Sequence, residues 1–322
     1  MRTITLEEHY ATEAFLNGPG KKVKERANAE SPLGHILEDL CELGEKRIAN
    51  MDAAGIDLQV LSLTSPGFEQ ADSAEAIPLA RATNDLLAKA IRKHPARLAG
   101  FAALPSAAPV EAAAELERTV RNYQFKGAMI NGHVRGRYPD DKFFWPILKC
   151  AEALDVPIYI HPTQPPQSVV EASYSGFSPT VSTMLANAGW GWHIETGIYI
   201  LRMILGGVFD EFPKLQVVIG HMGEALPFML QRFETMPAKM TKLKRPIGAY
   251  LRENLHYTFS GFNFMPAFLN LLLEVGVDRI MFSADYPYAS MQKARTFLDN
   301  IPVSPADRER IAHANAERLF RM

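Results

Sequence analysis

The chain has 322 residues, 47% hydrophobic and 22% charged, with 34 Lys+Arg against 36 Asp+Glu and a formal net charge of -2. There is no basic excess for a nucleic acid and no polybasic run for a membrane surface. The length holds two average domains or one large α/β barrel.

Cys41 and Cys150 form no CxxC and no disulfide framework, which suits a reducing cytoplasm. No signal-peptide pattern opens the chain, and no apolar run approaches membrane-spanning length. Residues 2–9 read as a first strand, β-branched at Ile4 and Thr5, running into Glu7, Glu8 and His9. Strict alternation points Glu7 and His9 one way and Glu8 the other. A polar stretch follows, 17–27 and then Ser31-Pro32, read as a long loop over the active face. Apolar spacing predicts a helix over 34–54.

A unit then repeats in kind though not in sequence. Strands are expected at 58–63, 98–104, 127–131, 156–161, 215–221, 255–260 and 279–285. Helices are expected at 73–94, 110–123, 143–154, 193–209, 224–236, 266–275 and within 295–320. A Pro-, Ser- and Gly-rich insertion fills 162–191. Eight mostly continuous apolar strands separated by helices predict a single (β/α)8 barrel over residues 1–322, with long active-site loops and extra helices. A doubly wound sheet is the rival. It lacks a Gly-rich turn after the first strand, where Glu7-Glu8-His9 stands instead.

In such a barrel the C-terminal strand ends converge on one face. Four predicted strand ends carry ionisable groups: Glu7 with His9, His161, His221, and Asp285. Glu7, His9, His161 and Asp285 offer two imidazoles and two carboxylates, a mixed set that suits Zn²⁺ or Mn²⁺ and excludes a thiolate structural site. His221 is followed three residues later by Glu224, placed to orient the imidazole and raise its basicity, unless it is only a helix N-terminal acid. His133 lies in a loop at the active face, a candidate substrate contact. His193 and Glu195 read as a helix cap, His256 as structural, and His35, His94 and His313 as surface positions. Trp190, Trp192, Phe177 and Tyr288 are candidates for an aromatic wall.

Several segments carry a resemblance. They are Leu-Glu-Glu-His at 6–9, Leu-Ser-Leu-Thr-Ser-Pro-Gly at 61–67, Lys-Gly-Ala-Met-Ile-Asn at 126–131, Val-Pro-Ile-Tyr-Ile-His-Pro at 156–162, Gly-Val-Phe-Asp at 207–210, Gly-His-Met-Gly-Glu at 220–224, Phe-Ser-Ala-Asp-Tyr-Pro at 282–287 and Asn-Ala-Glu-Arg-Leu-Phe at 315–320. Together the chain resembles the amidohydrolase superfamily, and within it the aminocarboxymuconate-semialdehyde decarboxylase-related family, most closely the γ-resorcylate and 2,3-dihydroxybenzoate decarboxylases. The resemblance implies a barrel with one divalent metal ion on Glu7, His9, His161 and Asp285, a catalytic His221–Glu224 pair, and a homodimer or homotetramer. Glu-x-His in the first motif looks like the decarboxylases; hydrolytic relatives usually have His-x-His. Two departures leave the ring substituents open: Tyr286-Pro287-Tyr288 replaces Trp-Pro-Phe or Tyr-Pro-Phe, and no amide stands near Met236-Pro237.

The expectation is a metal-dependent non-oxidative decarboxylase of an ortho-hydroxybenzoic acid, with Asp285 delivering a proton to the ring carbon and His221, held by Glu224, assisting. The partner is thus a small aromatic carboxylic acid. The alternatives are a hydrolase of a lactone or amide using activated water, and a catalytically silent metal-binding scaffold.

Overall fold

The computed structural model describes residues 1–27 and 36–322. The Ser31-Pro32 part of the expected long loop, the start of the predicted helix at Gly34, and His35 lie outside the described residues. The rest of that predicted helix is two helices, Ile36–Cys41 and Glu45–Ala54. The second ends at Gly55, whose φ of 67° is left-handed and therefore favours glycine.

Nine strand segments are found among the described residues: β1 (Ile4–Tyr10), β2 (Leu58–Leu63), β3 (Leu98–Gly100), β4 (Ala102–Ala103), β5 (Ala128–Asn131), β6 (Ile158–His161), β7 (Val217–Ile219), β8 (Leu255–Thr258) and β9 (Ile280–Met281). All pairings are parallel, in two ladders, β1-β2-β3 and β4 through β9. The ladders are arcs of one ring. Phe101 interrupts the third expected strand, yet its N–H donates to Leu61 O at 2.8 Å, and the next N–H, of Ala102, donates to Gly127 O at 2.9 Å. At the other seam Leu6 N–H donates to Phe282 O at 3.3 Å and His9 N–H to Tyr286 O at 2.7 Å. The fold is the expected barrel, with its third strand in two pieces.

Alternating side chains divide between two apolar clusters. Ile4, Leu6, Leu58, Val60, Ala99, Phe101, Met129, Tyr159, Val218 and Met281 fill the barrel. Leu61, Ile130, Ile158, Ile160, Val217, Ile219, Tyr257, Ile280 and Phe282 face the surrounding helices. Each such aliphatic or aromatic residue contributes about 1.5–3 kcal/mol on burial. Phe320 of the last helix, edge-on to Phe101 at 5.6 Å, joins the inner cluster. Among the described residues no helix is long and apolar enough to cross a membrane.

Three differences from the sequence reading bear on the site. The insertion at 162–191 is not all loop, for it holds helices Gln167–Ser173 and Pro179–Ala186. Ser178 and Pro179 are a cap and first-turn proline that its composition hides. The helix expected from Glu224 begins at Leu226, because Glu224 and Ala225 have left-handed φ of 54° and 64°. The helix expected over 193–209 is Gly191–Leu205, followed beyond Gly207 by a short turn, Val208–Glu211.

Candidate active site

The site begins with an irregularity in β1. Leu6 pairs with Val60 and Glu8 with Leu61, so Glu7 is an extra residue, with φ 65°. Ile4 and Leu6 already face the barrel interior. Strict alternation would send Glu8 inward next and turn Glu7 and His9 out toward the helices. The bulge reverses this: a bulged residue shifts the facing of everything after it. Glu7 and His9 therefore reach the mouth of the barrel, and Glu8 turns away.

There they meet His161, the last residue of β6, and Asp285, just beyond β9. One ligand atom from each of Glu7, His9, His161 and Asp285 lies within 4.8 Å of the others. His9 Nε2 is 3.2 Å from Asp285 Oδ1, and His161 Nε2 is 3.4 Å from Glu7 Oε1. Tyr159 and Ser260 donate their hydroxyls to Glu7 Oε2. Glu7 Oε1 and His9 Nε2 are buried with no hydrogen-bond partner among the described residues. Orphaned buried acceptors are costly, and their convergence on one point fits a cation that would satisfy them. Asp285 shares with Glu7 a left-handed backbone, φ 64°, a conformation costing about 1–3 kcal/mol in a non-glycine residue.

Electrostatics agree with the geometry. Burial pushes the Glu7 carboxyl above its ordinary range, against the pull of His221. Burial and the neighbouring His9 and His221 rings hold His161 well below the usual imidazole range, leaving it neutral and able to ligate. His221 goes the other way. Burial opposes its charge, but the Glu224 and Glu7 carboxylates outweigh that and push it up to about 10. Burial would raise Glu224, yet His221 and His193 hold it below the carboxylate norm.

His221 and Glu224 form a pair, Nδ1 to Oε1 at 2.7 Å, with His221 Nε2 turned toward Glu7 at 3.8 Å. Glu224 is buried in an irregular turn before the helix, so the helix-acid reading of it does not apply. Its other oxygen, Oε2, is 2.6 Å from His193 Nδ1. His193, read from sequence as a cap, is the third member of this cluster and does not cap its helix. Its Nε2 bonds Ala188 O at 3.1 Å. No spacing rule links it to Glu224, 31 residues on. The other half of that reading, Glu195, accepts the Tyr138 hydroxyl instead.

Replacing His193 by Ala should leave one Glu224 oxygen unpaired and loosen His221. A hydrogen bond to a charged group is worth about 1.5–3 kcal/mol, so kcat should fall roughly 10–100-fold. Metal content and KM should stay near those of the parent, by elemental analysis and steady-state kinetics. An unchanged kcat would show that Glu224 orients His221 unaided.

His133 bonds Gln164 O through Nε2 at 3.1 Å and accepts from Gly136 N–H at Nδ1, 3.0 Å, so both nitrogens stitch loops together rather than face a substrate. Of the candidate aromatic wall, Phe177 and Trp190 are largely exposed, and Trp192 donates to Asn187 Oδ1 at 2.7 Å. Tyr288 does reach the site: its ring is edge-on to His9 at 5.6 Å, and its hydroxyl bonds Thr64 Oγ1 at 2.7 Å. Phe262, unremarked in the sequence, lies 5.7 Å from the His193 ring and 6.3 Å from His221. His256 lies in β8 and bonds Gln216 Oε1 at 3.1 Å. Burial and the Arg279 and Arg318 charges push it down to about 3, a structural position.

The arrangement offers a cation site of mixed imidazole and carboxylate donors beside a third imidazole, His221, held ready to carry a proton. The sequence model of the amidohydrolase family matches residues 36–322. The gamma-resorcylate decarboxylase of Polaromonas sp. is 37% identical over 331 residues, covering 99% of this chain and 98% of that protein. The crystal structure of 5-carboxyvanillate decarboxylase from Novosphingobium aromaticivorans, complexed with manganese and 4-hydroxy-3-methoxy-5-nitrobenzoic acid, superposes with a TM-score of 0.92 at 35% identity, covering 100% of this chain and 96% of that one. That of a dihydroxybenzoic acid decarboxylase from Polaromonas sp., with bound manganese and the inhibitor 2-nitroresorcinol, gives 0.90 at 35% identity, covering 99% and 97%.

Proposed function

Given that the chain belongs to the amidohydrolase family, we propose that it is a metal-dependent non-oxidative decarboxylase, a carboxy-lyase, acting on an ortho-hydroxybenzoic acid. The observation that carries this reading is the convergence of Glu7, His9, His161 and Asp285 on one point, beside the His221–Glu224 pair. A single divalent ion on those four side chains, Mn²⁺ or Zn²⁺, would supply Lewis-acid charge at the carboxylate and ortho oxygens of the substrate.

The chemical obstacle is that losing CO2 directly from an arene leaves an aryl carbanion. Protonating the ring carbon first removes it. In this reading Asp285, at the edge of the centre, delivers a proton to the carbon bearing the carboxylate. The carbon–carbon bond then breaks, its electron pair returns to the ring, CO2 leaves, and aromaticity is restored. In its charged form His221 holds a proton at Nε2 on the side facing Glu7, while its Nδ1–H donates to Glu224, which fixes the ring's orientation. Tyr288 and Phe262 flank the histidines at the open mouth and would shield these interactions from water once a substrate covers them.

The test is a panel of ortho-hydroxybenzoates assayed for CO2 in D2O with Mn²⁺. The expected product is the phenol, with one deuterium at the vacated carbon. Hydrolysis of a lactone or amide without CO2 would replace this reading by the hydrolase one. We read residues 1–322 as one catalytic unit. Exposed Phe228, Met240, Phe264 and Leu273 support assembly as a homodimer or homotetramer. Two cysteines left as free thiols support a cytoplasmic location.

A further inference from the structure

Glu8, turned away from the centre by the bulge, is fully buried. Its Oε1 accepts from Ala284 N–H at 2.8 Å, and its Oε2 from Tyr286 N–H at 3.2 Å. These two amides bracket Asp285. Oε2 also receives Gln59 Nε2 at 3.4 Å, and Gln59 Oε1 accepts from Arg47 Nη1 at 3.3 Å. Arg47 is fully buried too. It donates through Nη2 to the backbone oxygens of His9, at 2.8 Å, and Asp39, at 2.9 Å, and through Nε to Glu42 O at 2.7 Å. Its guanidinium lies over the Tyr286 ring, 5.0 Å from the centroid.

We propose that Glu8 is a positioning residue which, through Gln59 and Arg47, sets the backbone of Asp285 and His9 so that both side chains reach one metal ion. Two physical points favour this over a merely structural role. A buried carboxylate and guanidinium are expensive, and well-packed apolar residues would serve the core at least as well. A left-handed backbone at a non-glycine residue persists only where its surroundings over-determine it. Two amides, one on each side of Asp285, held by a single carboxylate, do that. The network thus ties together, behind the site, two ligands that are far apart in sequence and come from opposite sides of the seam between the first and last strands.

The inference rests on the reading of Glu7, His9, His161 and Asp285 as the ligand set, so its test reads metal binding rather than turnover. The apoprotein is titrated with Mn²⁺ and free ion is followed by electron paramagnetic resonance. Glu8→Gln keeps the shape but sets an amide donor against a backbone N–H. Disturbing a group that orients ligands typically costs about 10–100-fold in metal affinity, and that rise in Kd is expected here. The ligand-field spectrum of the Co²⁺-substituted protein should shift as well. Leu116→Ala, a core truncation remote from the site, should lower thermal stability and leave Kd and spectrum unchanged. His161→Ala separates the two readings. If it leaves Mn²⁺ binding intact, the ligand set and the inference both fall. If it weakens binding while Glu8→Gln stays within twofold of the parent, the inference alone falls. Should Glu8→Gln fail to fold, Gln59→Leu cuts the link to Arg47 and decides the matter: a Kd raised severalfold supports the role, and a parental Kd overturns it.

Discussion

Asp285→Asn is expected to reduce kcat by roughly 10²–10⁴-fold, the usual contribution of a positioned proton donor. The substitution is chosen for what it preserves. Asparagine has the same shape, keeps a side-chain oxygen, and leaves the Ala284 and Tyr286 amides on Glu8. The Mn²⁺ content should therefore stay near one equivalent, and a nitro analogue of the substrate should still bind. The variant lacks a proton that can be handed to carbon and retrieved. Loss of turnover with retained binding is the signature of a group needed only in the transition state. Near-parental kcat would remove Asp285 from proton delivery and shift that role to His221, whose Nε2 also faces the centre.

Metal removal should have an effect at least as large. Prolonged dialysis against a chelator is expected to abolish CO2 release, and one equivalent of Mn²⁺ or Zn²⁺ to restore it. The same experiment should register in stability. Without an ion, the Glu7 and Asp285 carboxylates and the orphaned His9 nitrogen crowd one point, with only His221, 3.8 Å from Glu7, to offset their charge. An ion that binds only the folded state adds about 4 kcal/mol at a thousandfold excess over Kd, enough to raise Tm by several degrees. Full turnover by protein shown metal-free by elemental analysis would exclude metal-assisted chemistry at this site.

Much of this site is legible in the residues because a barrel makes strand ends equivalent. His161 ends an apolar run, Asp285 follows another, and Glu7 and His9 close the first. Convergence then follows from topology. What the pattern cannot show is what depends on pairing and on space. The bulge at Glu7 exists only against Val60 and Leu61 of the neighbouring strand. Alternation alone pairs Glu7 with His9 correctly but on the wrong face, since Ile4 and Leu6 already occupy the inside. Glu224 is legible as the partner of His221, but the helix is expected to start at it because non-glycine residues carry no mark of a left-handed backbone. His193 meets it only through the tertiary fold, with Ala188 O of the insertion holding its other ring nitrogen. The Pro- and Ser-rich composition of that insertion conceals its two short helices.

The extra residue in the first strand also cuts that strand into two stretches with separate bookkeeping. Upstream, side-chain volume at Ile4 and Leu6 can drift with the rest of the barrel filling without rotating the mouth. Downstream, the three acidic and imidazole side chains keep their facings as a block. Pairing Glu7 regularly with Leu61, with no residue removed, would leave every letter in place and swap inside for outside. Grafting this motif onto another scaffold therefore means transplanting a kink along with a string of residues.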